Sequence, residues 1–200
     1  MSTLIKTFFT PEQYLEIERK AEFRSEYYHG EMFAMSGARE PHVLLVGNTV
    51  FQLRVQLRSR PCRIYSNDMR VRVSATGLYT YPDIAVVCGE REFLDDRRDT
   101  LLNPGLIIEV LSESTEAYDR GRKSEHYRTL PSLREYLLIA SDHISAELFT
   151  RQANGQWVLS EAHRPEDIVQ IDSIGCQLKM SDLYEDVEFA PTAPAESPSR

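Results

Sequence analysis

The run Gly105-Leu106-Ile107-Ile108-Glu109-Val110-Leu111, and upstream of it Tyr81-Pro82-Asp83-Ile84-Ala85-Val86-Val87-Cys88, decide what kind of fold this chain adopts. Each is a short, almost wholly apolar segment rich in β-branched residues, the mark of a strand buried on both faces. Each also carries one carboxylate. An ionised acid moved out of water costs several kcal/mol or more unless a cation or hydrogen-bond donors receive it, so Glu109 requires a partner. Two such acids on adjacent strands make a metal site, because magnesium and manganese are hard cations that prefer oxygen ligands.

Outward from these strands, the chain reads as an α/β (α+β mixed) domain. Thr10-Pro11-Glu12-Gln13 starts a helix that runs to about Glu18, with Thr10 as N-cap, Pro11 at the first helical position and Gln13 completing a capping box. Ser25 to Met35 reads as a hairpin turning at His29-Gly30, with Glu31 on its second strand. Val43, Val46, Val50, Leu53 and Leu57 recur at helical spacing and predict one amphipathic helix over 40–58, packed on the sheet. Strands are expected at 63–65, 69–73, 79–88 and 106–111. In 69–73 apolar and basic residues alternate, as on a strand with one wet face. A helix over 120–130 stops before Pro131. Residues 135–140 and 144–150 read as a hairpin around Ser141-Asp142-His143, 156–162 as a further strand, and 181–185 as a last helical turn. From Ala190 to Arg200 the chain is Pro-rich and poor in apolar residues, so a disordered tail is expected after a single domain over 1–189.

With 200 residues and 42% hydrophobic content, the chain can bury a sizeable core as one unit. It has no apolar stretch of about 18 residues. It begins without the long apolar region of a secretory signal, so neither membrane insertion nor export is expected and the cytoplasm is the expected compartment. Cys62, Cys88 and Cys176 are odd in number, far apart and without Cys-x-x-Cys spacing. They read as reduced core thiols and not as a disulfide framework or a zinc site. A net charge of −8 argues against a nucleic-acid partner. Net charge is a weak guide, however, when basic residues gather on one face. Arg54, Arg58, Arg60, Arg63, Arg70 and Arg72, with Arg120 and Arg122 on the later helix, are the candidates for such a phosphate-facing patch.

Asp119, Lys123 and Tyr127 are spaced by four and so share one helix face that can look back toward the strand ends. A lysine beside a metal suits phosphodiester hydrolysis: the metal lowers the pKa of the attacking water, and both cations stabilise the charge that builds up in the transition state. Each residue also has a plainer reading. Glu109 can pair with Arg70 or Arg72, Asp83 can cap a turn after Pro82, and Asp68 reads as a turn residue after Asn67. Lys123 can be a solvated charge, Asp119 a helix cap, Tyr127 a core residue and His42 a helix-start residue.

Tyr81-Pro82-Asp83-Ile84-Ala85-Val86-Val87, Leu106-Ile107-Ile108-Glu109-Val110-Leu111-Ser112 with Ser114-Thr115, Asp119, Lys123, Tyr127 and Leu133-Arg134-Glu135-Tyr136 together resemble the Uma-two family of restriction-endonuclease-like proteins, over roughly residues 8–188. The resemblance implies the PD-(D/E)xK nuclease fold, a restriction-endonuclease-like central mixed β-sheet flanked by helices with metal acids on two neighbouring strands. It further implies a metal-dependent endonuclease acting on DNA, with Asp83, Glu109 and Lys123 as catalytic residues. Mg2+ or Mn2+ would be held by Asp83, Glu109, the main-chain carbonyl of Val110 and Glu31, with His42, Asp119 and Tyr127 as further site members. One departure matters: the parent motif has a lysine two residues after the second acid, where this chain has Leu111. Lys123 is the expected substitute, provided it reaches the acids. Duplex-cutting nucleases usually work as symmetric pairs, so a homodimer is expected. Two other classes stay open. A non-catalytic nucleic-acid or protein interaction module that kept the fold is compatible with the missing strand lysine. A metal-dependent phosphohydrolase of small substrates would show a closed pocket in place of an open groove.

Overall fold

The structure, a computed structural model, describes residues 8–189. The Pro-rich stretch 190–200 expected to be disordered lies outside the described residues. In chain order the elements begin with α1 (Pro11–Glu18), β1 (Ser25–Tyr28), β2 (Glu31–Ala34), α2 (Glu40–Gln56), β3 (Cys62–Ser66), β4 (Arg70–Val73) and β5 (Leu78–Thr80). Next come β6 (Ile84–Cys88), β7 (Thr100–Leu101), β8 (Leu106–Leu111), α3 (Glu116–Tyr118), a π-helical turn over Asp119–Lys123, and α4 (Ser124–Arg128). The chain continues through β9 (Glu135–Ala140), β10 (Ala146–Arg151), β11 (Trp157–Ala162), β12 (Ile168–Ile171), β13 (Cys176–Lys179) and α5 (Met180–Leu183).

The central sheet has six strands in the order β11-β10-β9-β8-β6-β3. Only β8 and β9 run parallel, so the sheet is mixed. All six residues of β8 are buried because the sheet is covered on both faces. Leu106, Ile108 and Val110 pack with Leu45, Val46 and Leu53 of α2 and with Leu178 of β13. Ile107 and Leu111 pack on the opposite face with Val71 and Val73 of β4, Leu78 of β5 and Tyr127 of α4. Burying each Leu, Ile or Val contributes about 1.5–3 kcal/mol, so β8 is fixed in place by its own side chains.

A second sheet has the order β2-β1-β5-β4-β7. Its β1–β2 hairpin turns at His29 and Gly30, whose φ values of 49° and 86° make the two-residue turn that matches strand twist. A side chain at Gly30 would also meet Phe8 Cδ1 at 2.7 Å. α1 has the expected capping box: Gln13 N–H donates to Thr10 Oγ1 at 3.2 Å and Thr10 N–H to Gln13 Oε1 at 2.8 Å. It packs Tyr14 against Tyr27 and Tyr79 of this sheet.

Four expectations are corrected. The single strand expected over 79–88 is two, β5 and β6, in different sheets. The link Tyr81-Pro82-Asp83 carries the chain from one to the other, and Pro82 cannot donate to a ladder. The helix over 40–58 forms, but it buries Leu45, Val46, Thr49, Leu53 and Leu57 and leaves Val43 on the outside. Thr49 tolerates burial because its hydroxyl donates to the Leu45 carbonyl at 2.7 Å. Cys62 and Cys88 are joined in a disulfide, and only Cys176 is a free buried thiol. The β3–β6 register puts the two directly opposite each other, a pairing that a 26-residue separation does not reveal.

The fourth correction concerns Arg70, expected on a wet strand face. It is 3% exposed, with Nε donating to Thr100 Oγ1 at 3.0 Å, Nη1 to the Tyr81 hydroxyl at 2.9 Å, and Nη2 lying 3.3 Å from Asp99. The second sheet and the Glu92–Leu102 segment cover it, so it cannot face a phosphate. Arg19 closes this network from α1, its Nε donating to Asp99 at 2.7 Å. That bond is the main cause holding the Asp99 carboxyl down to about 2, from an ordinary value of 3.8. A depressed folded-state pKa contributes stability above pH 4 that is lost as pH falls toward 2. Asp99→Asn is therefore expected to flatten the thermal stability profile between pH 4 and pH 2. A variant whose melting temperature tracked wild type across that window would show that the network contributes nothing there.

Candidate active site

Alternation along the strands sets where the two acids point. Ile107 and Leu111 flank Glu109 on one face of β8, and Ala85 and Val87 share that face on β6, so Glu109 and Asp83 both turn toward the layer containing Tyr127 and Tyr136. The β6–β8 ladder ends at Ile84–Ile108, and beyond it side chains take over the cross-strand bonds. Val110 N–H donates to Asp83 Oδ2 at 2.8 Å, and Asp83 N–H donates to Glu109 Oε2 at 3.2 Å. Each acid is thereby tied to the other's strand. His42, in the first turn of α2, brings Nε2 to 3.2 Å from Asp83 Oδ2.

Lys123 reaches the acids. It is 6% exposed, and its Nζ lies 2.9 Å from Glu109 Oε1, 3.2 Å from Asp119 Oδ1 and 3.6 Å from Glu26 Oε1. The Tyr127 hydroxyl donates to the same Glu109 Oε1 at 2.8 Å. Asp119, Lys123 and Tyr127 do share a face, but the segment is not the plain helix expected over 120–130. It starts at Glu116 and widens to a π turn over Asp119–Lys123. In a regular α-helix residues four apart are offset by about 40°. The wider i→i+5 turn reduces that offset, so Asp119 and Lys123 line up over the strand ends.

Burial is the leading influence on this cluster's charges. It pushes the Glu109 carboxyl up to about 8, against the pull of Lys123 and with the help of Asp83 and Asp119. Asp119 is raised for the same reason. Burial would lower Lys123, but Glu109, Tyr127, Asp119 and Glu26 outweigh it and hold its pKa well above the ordinary value. The lysine is the fixed charge of the site. Asp119 Oδ1, buried and near the ammonium, makes no hydrogen bond.

Glu26 was not singled out by the sequence. It alternates with Tyr27, which is buried among aromatics, so its carboxylate turns the other way, where the Thr80 hydroxyl donates to it and Lys123 lies close. Only the packing of the two sheets brings this face to Lys123. Glu31 opens β2 opposite Tyr28. Of the arginines, Arg120 pairs with Glu116 and Glu147, Arg72 lies over the Tyr79 ring at 5.5 Å, and Arg122 is exposed. Arg70, being buried, is no member of an exposed patch. Glu135, part of the motif run, serves the fold: its carboxylate accepts from the N–H groups of Asp172 and Ser173, both at 3.0 Å, and anchors the β12–β13 hairpin.

The Uma2 family profile, described as "Putative restriction endonuclease", matches residues 11–181. The chain belongs to the Uma2 family. It is 32% identical to the uncharacterized protein slr1290 of Synechocystis sp. over 182 residues, 90% of this chain and 93% of that protein. It is 36% identical to the uncharacterized protein sll1609 of the same organism over 152 residues, 76% of this chain and 86% of that one. The crystal structure of "a putative nuclease belonging to DUF820" from Anabaena variabilis superposes with a TM-score of 0.72 at 18% identity, covering 88% of this chain and 97% of that one. The fold is shared with that structure, and the mixed sheet flanked by helices is the expected class. Family and fold are those of restriction-endonuclease-like proteins. No described helix is long and apolar enough to cross a membrane.

Proposed function

We propose that this Uma2 chain is a metal-dependent endonuclease that hydrolyses phosphodiester bonds in DNA, with Asp83, Glu109 and Lys123 as its catalytic residues. The observation that carries the reading is the 2.9 Å approach of Lys123 Nζ to Glu109 Oε1. In this reading the helix-borne Lys123 takes the role of the lysine that the strand lacks at Leu111.

The donor chemistry fits Mg2+ or Mn2+. Asp83 and Glu109 converge from adjoining strands and offer only oxygen, which hard cations prefer. Among the described residues there is no ready-made group of three or more His, Cys, Asp or Glu side chains suited to a metal. That is compatible with magnesium, which uses one or two carboxylates and keeps several waters. The Val110 carbonyl and Glu31 are the further oxygen ligands in this reading. When bound, the cation would lower the pKa of the attacking water and neutralise phosphate charge.

The chain's own residues do the rest. The crossed bonds from Val110 N–H and Asp83 N–H fix the orientation of both carboxylates. Tyr127 holds the Glu109 rotamer and His42 braces Asp83. Asp119 and Glu26 keep Lys123 charged and aimed, so that its ammonium stabilises the negative charge that grows in the transition state. Arg72 and Arg122 are candidates for phosphate contacts.

Titrating Mn2+ and Mg2+ into the protein by calorimetry, alongside a plasmid-nicking assay with and without chelator, tests this. Saturable binding together with chelator-sensitive nicking is expected. Absence of binding would leave a non-catalytic module.

A further inference from the structure

Among the described residues, α2 leaves one face without a partner. Val43, Phe51 and Val55 are 57%, 64% and 58% exposed, and together with Gly47 they recur at four-residue spacing along the side opposite the buried Leu45, Val46, Thr49 and Leu53. A glycine in a helix interior is destabilising relative to alanine. No described residue requires one at Gly47: its φ is not positive, and a Cβ there would meet no described atom within 4 Å. Glu40 at the start of the helix, Arg54 in its last turn and Arg58 just past its end are exposed and form no ion pair among the described residues.

We infer that this face is the interface with a second copy of the chain, the two α2 helices packing antiparallel about a two-fold axis at residue 49. The sequence of the face is its own complement about that point. Phe51 lies over the partner's Gly47, which leaves room for the ring, and Val43 meets the partner's Val55. Leu44 is covered by the stem of the partner's Arg54, and Glu40 faces the partner's Arg58. Self-complementarity of one patch is what a two-fold interface demands, and a parallel arrangement would instead bring arginine to arginine. His42 is about seven residues from the axis, so the two candidate active sites stand roughly 20 Å apart along the helices. The inference does not depend on nuclease activity, since it rests on α2 alone.

Light scattering and sedimentation of the full chain test it, with Phe51→Lys as the disrupting variant. Wild type is expected at twice the 23.0 kDa chain mass. Phe51→Lys brings two like charges close to the axis, beside Arg54, and is expected to weaken the dimer at least about a hundredfold, with circular dichroism unchanged. The double variant Val43→Cys/Val55→Cys is expected to form a reducible covalent dimer that neither single variant matches, because the two positions are too far apart on one helix to bond within a chain. A monomeric wild type overturns the inference, as does a dimer indifferent to Phe51→Lys or a double variant that cross-links no more than the singles. Metal binding by a monomer would remove the interface and leave the proposed function standing.

Discussion

Glu109→Ala and Asp83→Ala are each expected to reduce metal-dependent cleavage by about three orders of magnitude or more, while the protein remains folded. The expectation follows from the shared geometry: each carboxylate also orients the other's strand, so losing either removes a proposed metal ligand and loosens its neighbour. Stability should change little in Asp83→Ala, because Asp83 is one of the groups that pushes the buried Glu109 carboxyl up. Single-turnover cleavage in Mg2+ and Mn2+, run beside thermal unfolding, measures both quantities. A variant that cuts within tenfold of wild type would dismiss the two acids as the metal ligands. pH adds a signature. With Glu109 lifted to about 8 in the metal-free protein, a cation must displace a proton to bind. Apparent metal affinity should therefore climb as pH rises toward 8, and binding below that pH should release protons, visible as a buffer-dependent calorimetric heat.

Lys123→Ala should lower both rate and stability. In the proposed mechanism its ammonium acts on charge that develops only in the transition state, so the rate constant is expected to fall by roughly a hundredfold to a thousandfold while metal affinity changes less. The same ammonium lies within ion-pair distance of Glu109 and Asp119 inside the protein. Without it these buried acids lose that partner, so the melting temperature should fall, and fall most above pH 8, where Glu109 is charged. Lys123→Met keeps most of the packing volume without the charge and separates the two effects. Rates measured at temperatures where each variant is folded decide the matter. An unchanged rate in a folded Lys123→Met protein would make Lys123 a structural cation only.

The elements easiest to read were those whose signal is local. The capping box at Thr10, the hairpin turn at His29-Gly30 and the buried strand around Glu109 depend on residues at most a few positions apart, and each forms where the sequence puts it. The spacing of Asp119, Lys123 and Tyr127 also conveyed their common face. The π turn that sharpens that alignment has no sequence mark, because it depends on what the helix packs against. The helix over 40–58 was legible in extent but not in orientation: polar Thr49 is buried and apolar Phe51 is not, a choice set by the sheet beneath and by the face α2 turns outward.

The sequence by itself determined that two acids sit on or beside short buried strands, that a lysine follows on a helix, and that a carboxylate at Glu109 could not stand alone. Tertiary structure decided who its partners are. Arg70, locked on β4 to Asp99, Thr100 and Tyr81, is no partner of Glu109. Lys123, Tyr127 and the N–H of Asp83 are. The Cys62–Cys88 bond and the approach of Glu26 to Lys123 were likewise decided by register and by the packing of one sheet against the other. The physical reason is common to all of them: burial raises the energy of a polar or charged group whatever its neighbours in sequence, whereas the groups that relieve it are chosen by distances that only the folded chain defines.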